Sequence, residues 1–234
     1  MRRGRRIAVI VLLIVLIIAL LFVVYQLFLV RGIFVTGNVS EEYVISLSGI
    51  EQNQSVFFIN EETALEKIDA EPWLKAVEVK VKYPDKVFIT AEQREIAAYV
   101  DKGDDYLAID SEGVLLRVVP KSQVSLPVVY GLQMDKFEVG KTLGALDTFV
   151  LGVVQRLLVQ LGESDLNIAS IDVSLAANIV FATHDGIKIE IGDDTQLAAK
   201  FELAVNSLLW LDEKEKTGGI LDVSAVTSAY YREN

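Results

Sequence analysis

The sequence predicts an α+β protein: a single N-terminal transmembrane helix, a small β-α-α-β-β module, and a mostly antiparallel α+β domain that ends in an edge strand. Three observations carry this. Residues 7–30 hold no charge. Residues 77–91 alternate apolar and polar with period two on either side of a Tyr-Pro-Asp turn. Residues 96–234 mix β-branched runs with two stretches of helical period.

The first element is the greasy run. Of residues 7–30, all but Ala8, Ala19, Tyr25 and Gln26 are Val, Ile, Leu or Phe. On an insertion scale these sum to an upper bound of about −6 to −12 kcal/mol, which one Gln does not reverse. At a rise of about 1.5 Å per residue the run spans roughly 36 Å, enough to cross a hydrocarbon core of about 30 Å with some tilt. Arg2, Arg3, Arg5 and Arg6 precede it and Arg31 follows, so the positive-inside rule puts residues 1–6 in the cytoplasm and the rest outside. A cleaved signal peptide would have a shorter apolar region and a small-x-small cleavage site, which "YQLFLVRG" does not offer. Residues 7–30 therefore read as an anchor in the cytoplasmic membrane.

Residues 32–95 form the module. "GIFVTGN" reads as a strand with Ile33 and Val35 on one face, ending at the Gly37-Asn38 turn pair. Ser40 is placed to cap a helix over 41–49 that stops at Gly49. Asn60 is placed to cap a second over 61–71, with Leu65 and Ile68 on one side and Pro72 as the stop. In the next strand Val77, Val79, Val81 and Tyr83 alternate with Glu78, Lys80 and Lys82. After Tyr83-Pro84-Asp85 the return strand puts Val87, Ile89 and Ala91 on one face. One apolar face per strand needs one cover, and the two helices supply it, leaving the other sheet face polar.

Residues 96–234 form the second domain. Strands are expected at 96–100, 106–110 and 113–119, then a stretch punctuated by Pro120 and Pro127. A helix is expected over 143–161, its core stripe made of Leu146, Phe149, Val150, Val153, Leu157 and Leu161, with Gly162 as the stop. "IASIDVS" and "NIVFATHDGIKIEIG" follow as strands, with Asp185-Gly186 as a two-residue hairpin turn. A last helix carries Leu197, Phe201, Ala204, Leu208 and Leu211 inward, and two strands end the chain.

Composition narrows function. The net charge is −11, and residues 32–234 hold 17 basic against 33 acidic side chains, about −16. A body this acidic repels nucleic-acid phosphates and anionic membrane surfaces, which makes both poor partners for it. With no cysteine and one histidine, thiolate sites, cysteine nucleophiles and disulfides are excluded. His184, beside the Asp-Gly turn, reads as a turn residue, because no serine lies in a G-x-S-x-G elbow. "GDDT" at 192–195 reads as helix caps and first-turn charges, not a cation site. Gly218-Gly219 reads as helix exit and strand entry, and "DEKEKT" as a solvated face. No catalytic, cofactor-binding or metal residue is assigned and no small-molecule substrate is expected. A wall-glycan hydrolase using a carboxylate pair and a ligand sensor remain alternatives.

With chemistry set aside, the last strand becomes informative. Val226, Ser228 and Tyr230 alternate with Thr227, Ala229 and Tyr231, and Arg232 follows. A terminal strand is often an edge, and an unpaired edge can accept another chain's strand. Val226, Ser228, Ala229, Tyr230, Tyr231 and Arg232 are the candidate partner-binding residues.

The order of "V-x-G-N" entering and "P-W-L-K-x-V-x-V-x-x-x-Y-P-D-x-V-x-I" leaving residues 32–95 resembles a POTRA module. A POTRA module directly after a single anchor resembles the bacterial division protein family FtsQ/DivIB. "ITAEQREIAAYV", "LAIDSEGVLL", "DGIKIEIGDDTQLAAKFELAVNSL" and "GGILDVS" resemble later parts of that family, with Ala91, Gln93 and Ile96 departing from its pattern. The resemblance implies the family's β domain over 96–234 and a non-enzymatic scaffold at the division septum. It also implies that the terminal strand binds small bitopic coiled-coil partners of the FtsB/DivIC and FtsL kind outside the cytoplasmic membrane.

Overall fold

The computed structural model describes residues 2–121 and 126–233, which fall into two units, Met1–Gln93 and Arg94–Asn234. The first begins with helix α1, Arg2–Leu27. Its stretch Val9–Leu27 is long and apolar enough to cross a membrane, with mean hydropathy 3.2. The described large apolar side chains of that stretch are exposed on every side. That pattern fits a lipid solvent and no water-facing helix.

The rest of this unit is the expected β-α-α-β-β layer: β1 (Gly32–Thr36), α2 (Glu41–Ser48), α3 (Glu61–Asp69), β2 (Leu74–Lys82) and β3 (Lys86–Gln93). The strands lie in the order β1-β3-β2, with β1 parallel and β2 antiparallel to β3. Val87, Ile89 and Ala91 are fully buried beneath Val44, Ala64 and Ile68 from the helices. Burying each large side chain contributes about 1.5–3 kcal/mol. Asn60 caps α3, its side chain accepting the Thr63 N–H at 3.0 Å. Ser40 holds the cap position of α2 with no side-chain bond, so its capping role is not realised.

Two expectations for this layer need correction. Val77 and Tyr83 are exposed although Val79 and Val81 turn inward. For Val77 the cause is a bulge, since Ala76 pairs with Ala91 but Glu78 pairs with Thr90 and leaves Val77 as an extra residue, whereas Tyr83 lies beyond the end of β2 in the turn. One extra residue swaps the faces, and Leu74 and Ala76 replace Val77 on the inner side. The open face is also not wholly polar. Phe34 stacks on Phe88 with centroids 5.1 Å apart, and the Lys82 ammonium lies 4.5 Å from the Phe88 ring.

The V-x-G-N signature has a steric cause. Gly37 adopts φ +125, and a Cβ there would lie 1.8 Å from the Ala91 carbonyl oxygen. Asn38 then accepts the Gln93 N–H at 2.9 Å, tying the end of β1 to that of β3.

The second unit is a nine-stranded sheet with two helices. In chain order its strands are β4 (Ala98–Asp101), β5 (Asp105–Ile109), β6 (Leu115–Pro120) and β7 (Val128–Tyr130). A separate small pair follows, β8 (Met134–Lys136) with β9 (Gly144–Ala145). Helix α4 (Thr148–Gly162), β10 (Ser170–Asp172), β11 (Ile179–Ala182) and β12 (Lys188–Gly192) come next. Helix α5 (Leu197–Glu213), β13 (Ile220–Asp222) and β14 (Tyr230–Arg232) complete the unit. The strand order is β14-β13-β12-β11-β10-β7-β4-β5-β6, antiparallel except at β13-β12, β10-β7 and β7-β4.

Val153, Val154 and Leu157 of α4 and Phe201 and Ala204 of α5 share one core with Leu107, Ile171, Phe181 and Ile189 of the sheet. Helix α4 starts later than its apolar pattern suggests because Asp147 caps it, accepting the Phe149 N–H at 2.9 Å. The buried stripe is consequently Leu151, Val153, Val154, Leu157 and Leu158, while Leu146 and Phe149 are exposed. The β11–β12 turn has three residues, not two. Thr183 and Ile187 close it, and Gly186, at φ +83, donates to Thr183 O.

Arg94 and Asp110 explain two more of the quoted motifs. Asp110 is 5 % exposed, and its carboxylate accepts Glu112 N, Val114 N and the Arg94 guanidinium. The β5–β6 turn is thereby built around a satisfied buried ion pair.

Candidate functional site

The two ends of the nine-stranded sheet differ in how far a loop takes them up. At β6, Leu115 donates its N–H to Lys141 O and accepts the Gly140 N–H, so the loop before β9 takes up that edge. At the other end β14 carries no further strand among the described residues.

The local sequence explains how β14 reaches this position. Helix α5 ends at Glu213, and Gly218 and Gly219 follow with φ +70 and +87. A Cβ on Gly219 would lie 2.6 Å from the Arg232 carbonyl oxygen and 2.8 Å from the Tyr231 ring, so glycine is what lets β14 close onto β13. After β13 the Asp222 carboxylate accepts Ser224 N at 2.9 Å and Ser224 Oγ at 2.7 Å, which turns the chain back. Those bonds, with the Arg232 charge as a smaller cause, hold the Asp222 carboxyl below its ordinary pKa.

The strand itself is shorter than its alternation suggests. Val226 and Thr227 lie in the return turn, Ser228 and Ala229 are not in the ladder, and only Tyr230, Tyr231 and Arg232 pair with β13. The Ser228 N–H points back to Ala225 O at 3.5 Å. Of the six candidate residues, three therefore occupy the edge, and Val226, Ser228 and Ala229 form its approach.

The direction of each backbone group follows from the ladder. Lys188 N–H bonds Gly219 O and Val223 N–H bonds Glu190 O, so the odd-numbered residues of β13 face β12. Ile220 and Asp222 face β14, where their partners are Arg232 and Tyr230. Alternation turns the N–H and C=O of Tyr231 to the open side.

Side chains frame this edge. Tyr231 is paired with buried Leu221 and donates its hydroxyl to Gly218 O at 3.0 Å. Beside it lies a groove of about 470 Å³, walled by Asn206, Ser207, Trp210, Leu221, Ala229 and Tyr231. Trp210 is 54 % and Tyr230 65 % exposed. On the opposite face Arg232 approaches Glu190 at 3.7 Å. Glu233 pairs with Lys216 and raises that ammonium's pKa. An added strand would find unsatisfied backbone groups at Tyr231, an aromatic-walled groove for one set of its side chains, and Tyr230 and Arg232 for the other.

Trp210 and Asn206 were not anticipated. The signal was present in "SLLWLDE": four large apolar residues in succession cannot all face inward at about 100° per residue. Leu208 and Leu211 pack against the core, so Leu209 and Trp210 are turned out.

The residues weighed for chemistry lie elsewhere. His184 is exposed at the tip of the β11–β12 turn. The carboxylates of "GDDT" are not helix caps, because α5 begins at Leu197 after Gln196. Asp193 instead accepts the buried Lys200 ammonium at 2.8 Å and the Thr195 hydroxyl, which together lower its pKa to about 2. Asp194 accepts the Arg156 guanidinium.

Comparison with known proteins agrees with this architecture. A family model described as "POTRA domain, FtsQ-type" matches residues 29–94, and one described as "Cell division protein FtsQ/DivIB, C-terminal" matches residues 98–225. Cell division protein DivIB of Clostridium botulinum (strain Hall) is 25 % identical over 228 residues, 95 % of this chain and 89 % of the relative. DivIB of Clostridium tetani is 25 % identical over 75 % of this chain and 67 % of its own length. Cell division protein FtsQ of Geobacter sp. (strain M21) is 29 % identical over 42 % and 36 % respectively. With the C-terminal model alone matching more than half of its residues, the chain belongs to the FtsQ/DivIB family of cell division proteins.

Proposed function

We propose that this protein is a non-enzymatic scaffold of the division machinery. Helix α1 holds it in the cytoplasmic membrane with residues 1–6 inside and the body outside, at the septum. Its β14 edge receives a strand from small bitopic coiled-coil partners of the FtsB/DivIC and FtsL kind. The observation that carries the reading is the open edge at Tyr231 beside a groove walled by Trp210. Backbone pairing supplies affinity in strand addition, and pockets for alternate side chains supply specificity. Exposed Trp, Tyr and Arg are the side chains that dominate interface energetics. The only imidazole sits on an exposed turn and the paired carboxylates near α5 are engaged by Lys200 and Arg156, which favours binding over catalysis.

The test mixes the full chain in detergent with the ectodomains of the same organism's small bitopic division proteins. Co-elution is expected, with about tenfold or more weakening on Trp210→Ala, since truncating a central anchor costs about 2 kcal/mol. Co-elution unaffected by both Trp210→Ala and Tyr230→Ala would move the interface away from this edge.

A further inference from the structure

The residues that join α1 to β1 carry a second exposed surface. Phe28 and Phe57 have ring centroids 4.9 Å apart, Phe57 and Tyr83 5.8 Å, and Phe28 and Tyr83 6.4 Å. Phe57 is 62 %, Tyr83 63 % and the neighbouring Phe58 85 % exposed. An aromatic cluster of this size left open to water marks an interaction site.

Its occupant follows from where it is fixed. Helix α1 ends at Leu27, and no flexible linker separates it from the module. Val56 N–H bonds Phe28 O at 2.9 Å, Val30 N–H bonds Gln54 O at 2.9 Å, and Arg31 N–H bonds Asp85 O at 2.9 Å. The segment that bears Phe57 and the turn that bears Tyr83 are thus tied to Phe28, Val30 and Arg31, within four residues of the helix end. A hydrocarbon core of about 30 Å takes up roughly 20 helical residues. Counted from Ile7, beside the basic tail, it runs out near Gln26. Phe28 then emerges at the outer boundary, and rings within about 6 Å of it lie in the headgroup layer, where aromatic side chains concentrate. Charge agrees with position. Lys82 and Lys86 flank the Tyr83-Pro84-Asp85 turn in sequence, their ammoniums over the Phe88 and Phe34 rings, and Arg31 is bonded to Asp85, a local basic cluster on a body of about −16. Such a cluster suits anionic lipid headgroups and not the acidic remainder of the chain.

We infer that Phe57, Phe58 and Tyr83, with Arg31, Lys82 and Lys86, form a lipid-docking surface that rests in the outer headgroup layer of the bilayer α1 spans. The surface sets the angle at which β1–β3 leave the membrane. This rests on the anchor reading above. A protein partner is the competing occupant.

The chain has no cysteine, so Phe57→Cys and Glu92→Cys each give one labelling site in the full-length protein. Glu92 lies six residues beyond Lys86 on β3, about 20 Å further along the strand. Each variant carries bimane and is reconstituted in phosphatidylglycerol vesicles containing nitroxide-bearing phospholipid. Quenching at position 57 should exceed that at 92 by at least threefold, and adding Phe58→Ser and Tyr83→Ser to the 57-labelled protein should halve it. Equal quenching at both sites, in protein that survives alkaline extraction from the vesicles, would overturn the inference and leave the anchor intact. So would quenching at 57 that is blind to loss of the rings, which would mean that α1 alone holds position 57 near the bilayer. Release of the chain by alkali would overturn the anchor and this inference together.

Discussion

At the scale of single residues, two changes separate the architecture of the edge from the architecture of the domain. Gly219→Ala places a methyl group 2.6 Å from the Arg232 carbonyl oxygen at a backbone φ of +87. Strain of that kind costs about 1–3 kcal/mol, and β14 is the element that can relieve it by moving away. The expected outcome is a modest fall in melting temperature with a larger loss of partner affinity by calorimetry. Unchanged affinity would mean that β14 does not need its present position to bind. Asp193→Asn tests the other end of α5. The folded carboxyl has a pKa of about 2, set first by the Lys200 ammonium and then by Thr195. An unfolded aspartate titrates near 3.9, so the stabilisation is complete above about pH 4 and is lost as the pH falls toward 2. The parent should therefore lose melting temperature across that window, and the Asn variant, already weakened at neutral pH with Lys200 buried and unpaired, should lose less. Parallel acid limbs for the two proteins would show that the ion pair contributes no pH dependence.

At the scale of elements, strand and helix identities were legible because apolar period and cap chemistry agree, as at Asn60, Gly49 and the 197–211 stripe. The misplacements each have a local cause. Val77 looked inward because alternation says nothing of an extra residue, and only its pairing against Ala91 and Thr90 shows the bulge. Leu146 extended the apolar pattern of α4 past Asp147, whose carboxylate caps the N-terminus of the helix regardless of what precedes it, and Phe149 lies within α4 but on its exposed side. The terminal alternation from Val226 was read as strand although the Ser224–Asp222 bonds commit those residues to a turn. The edge itself was legible, but the groove was not, because Asn206 and Trp210 come from a helix whose distance to β14 the sequence does not state. Proline tests the corrected strand. The Tyr230 N–H faces β13, so Tyr230→Pro should remove a ladder bond and lower the melting temperature by several degrees. By alternation Ala229 shares the outward orientation of Tyr231, so Ala229→Pro should leave melting within a degree or two yet weaken partner binding at least tenfold. The reverse pattern would invert the register argued here, and no effect from either would remove strand addition from this end.

At the scale of the whole molecule, charge and hydropathy bear on which side of the membrane the edge can serve. The basic residues before α1 and the acidic body after it form a steep asymmetry, since every carboxylate of the chain lies at or beyond Glu41. Translocation responds to the Arg and Lys residues nearest the span, and four arginines before it against one after support the proposed orientation, with the N-terminus in the cytoplasm. In that proposed orientation the body would meet partners whose own ectodomains are outside. Trypsin can report this without disturbing the fold, because Lys102 lies in the exposed β4–β5 turn and Lys214 just after α5. In intact spheroplasts, trypsin added from outside should shorten the protein while the fragment containing α1 stays with the membrane. Protection until lysis would put the Tyr231 edge in the cytoplasm. Strand addition from extracytoplasmic ectodomains would then be impossible, whatever the affinity measured in detergent.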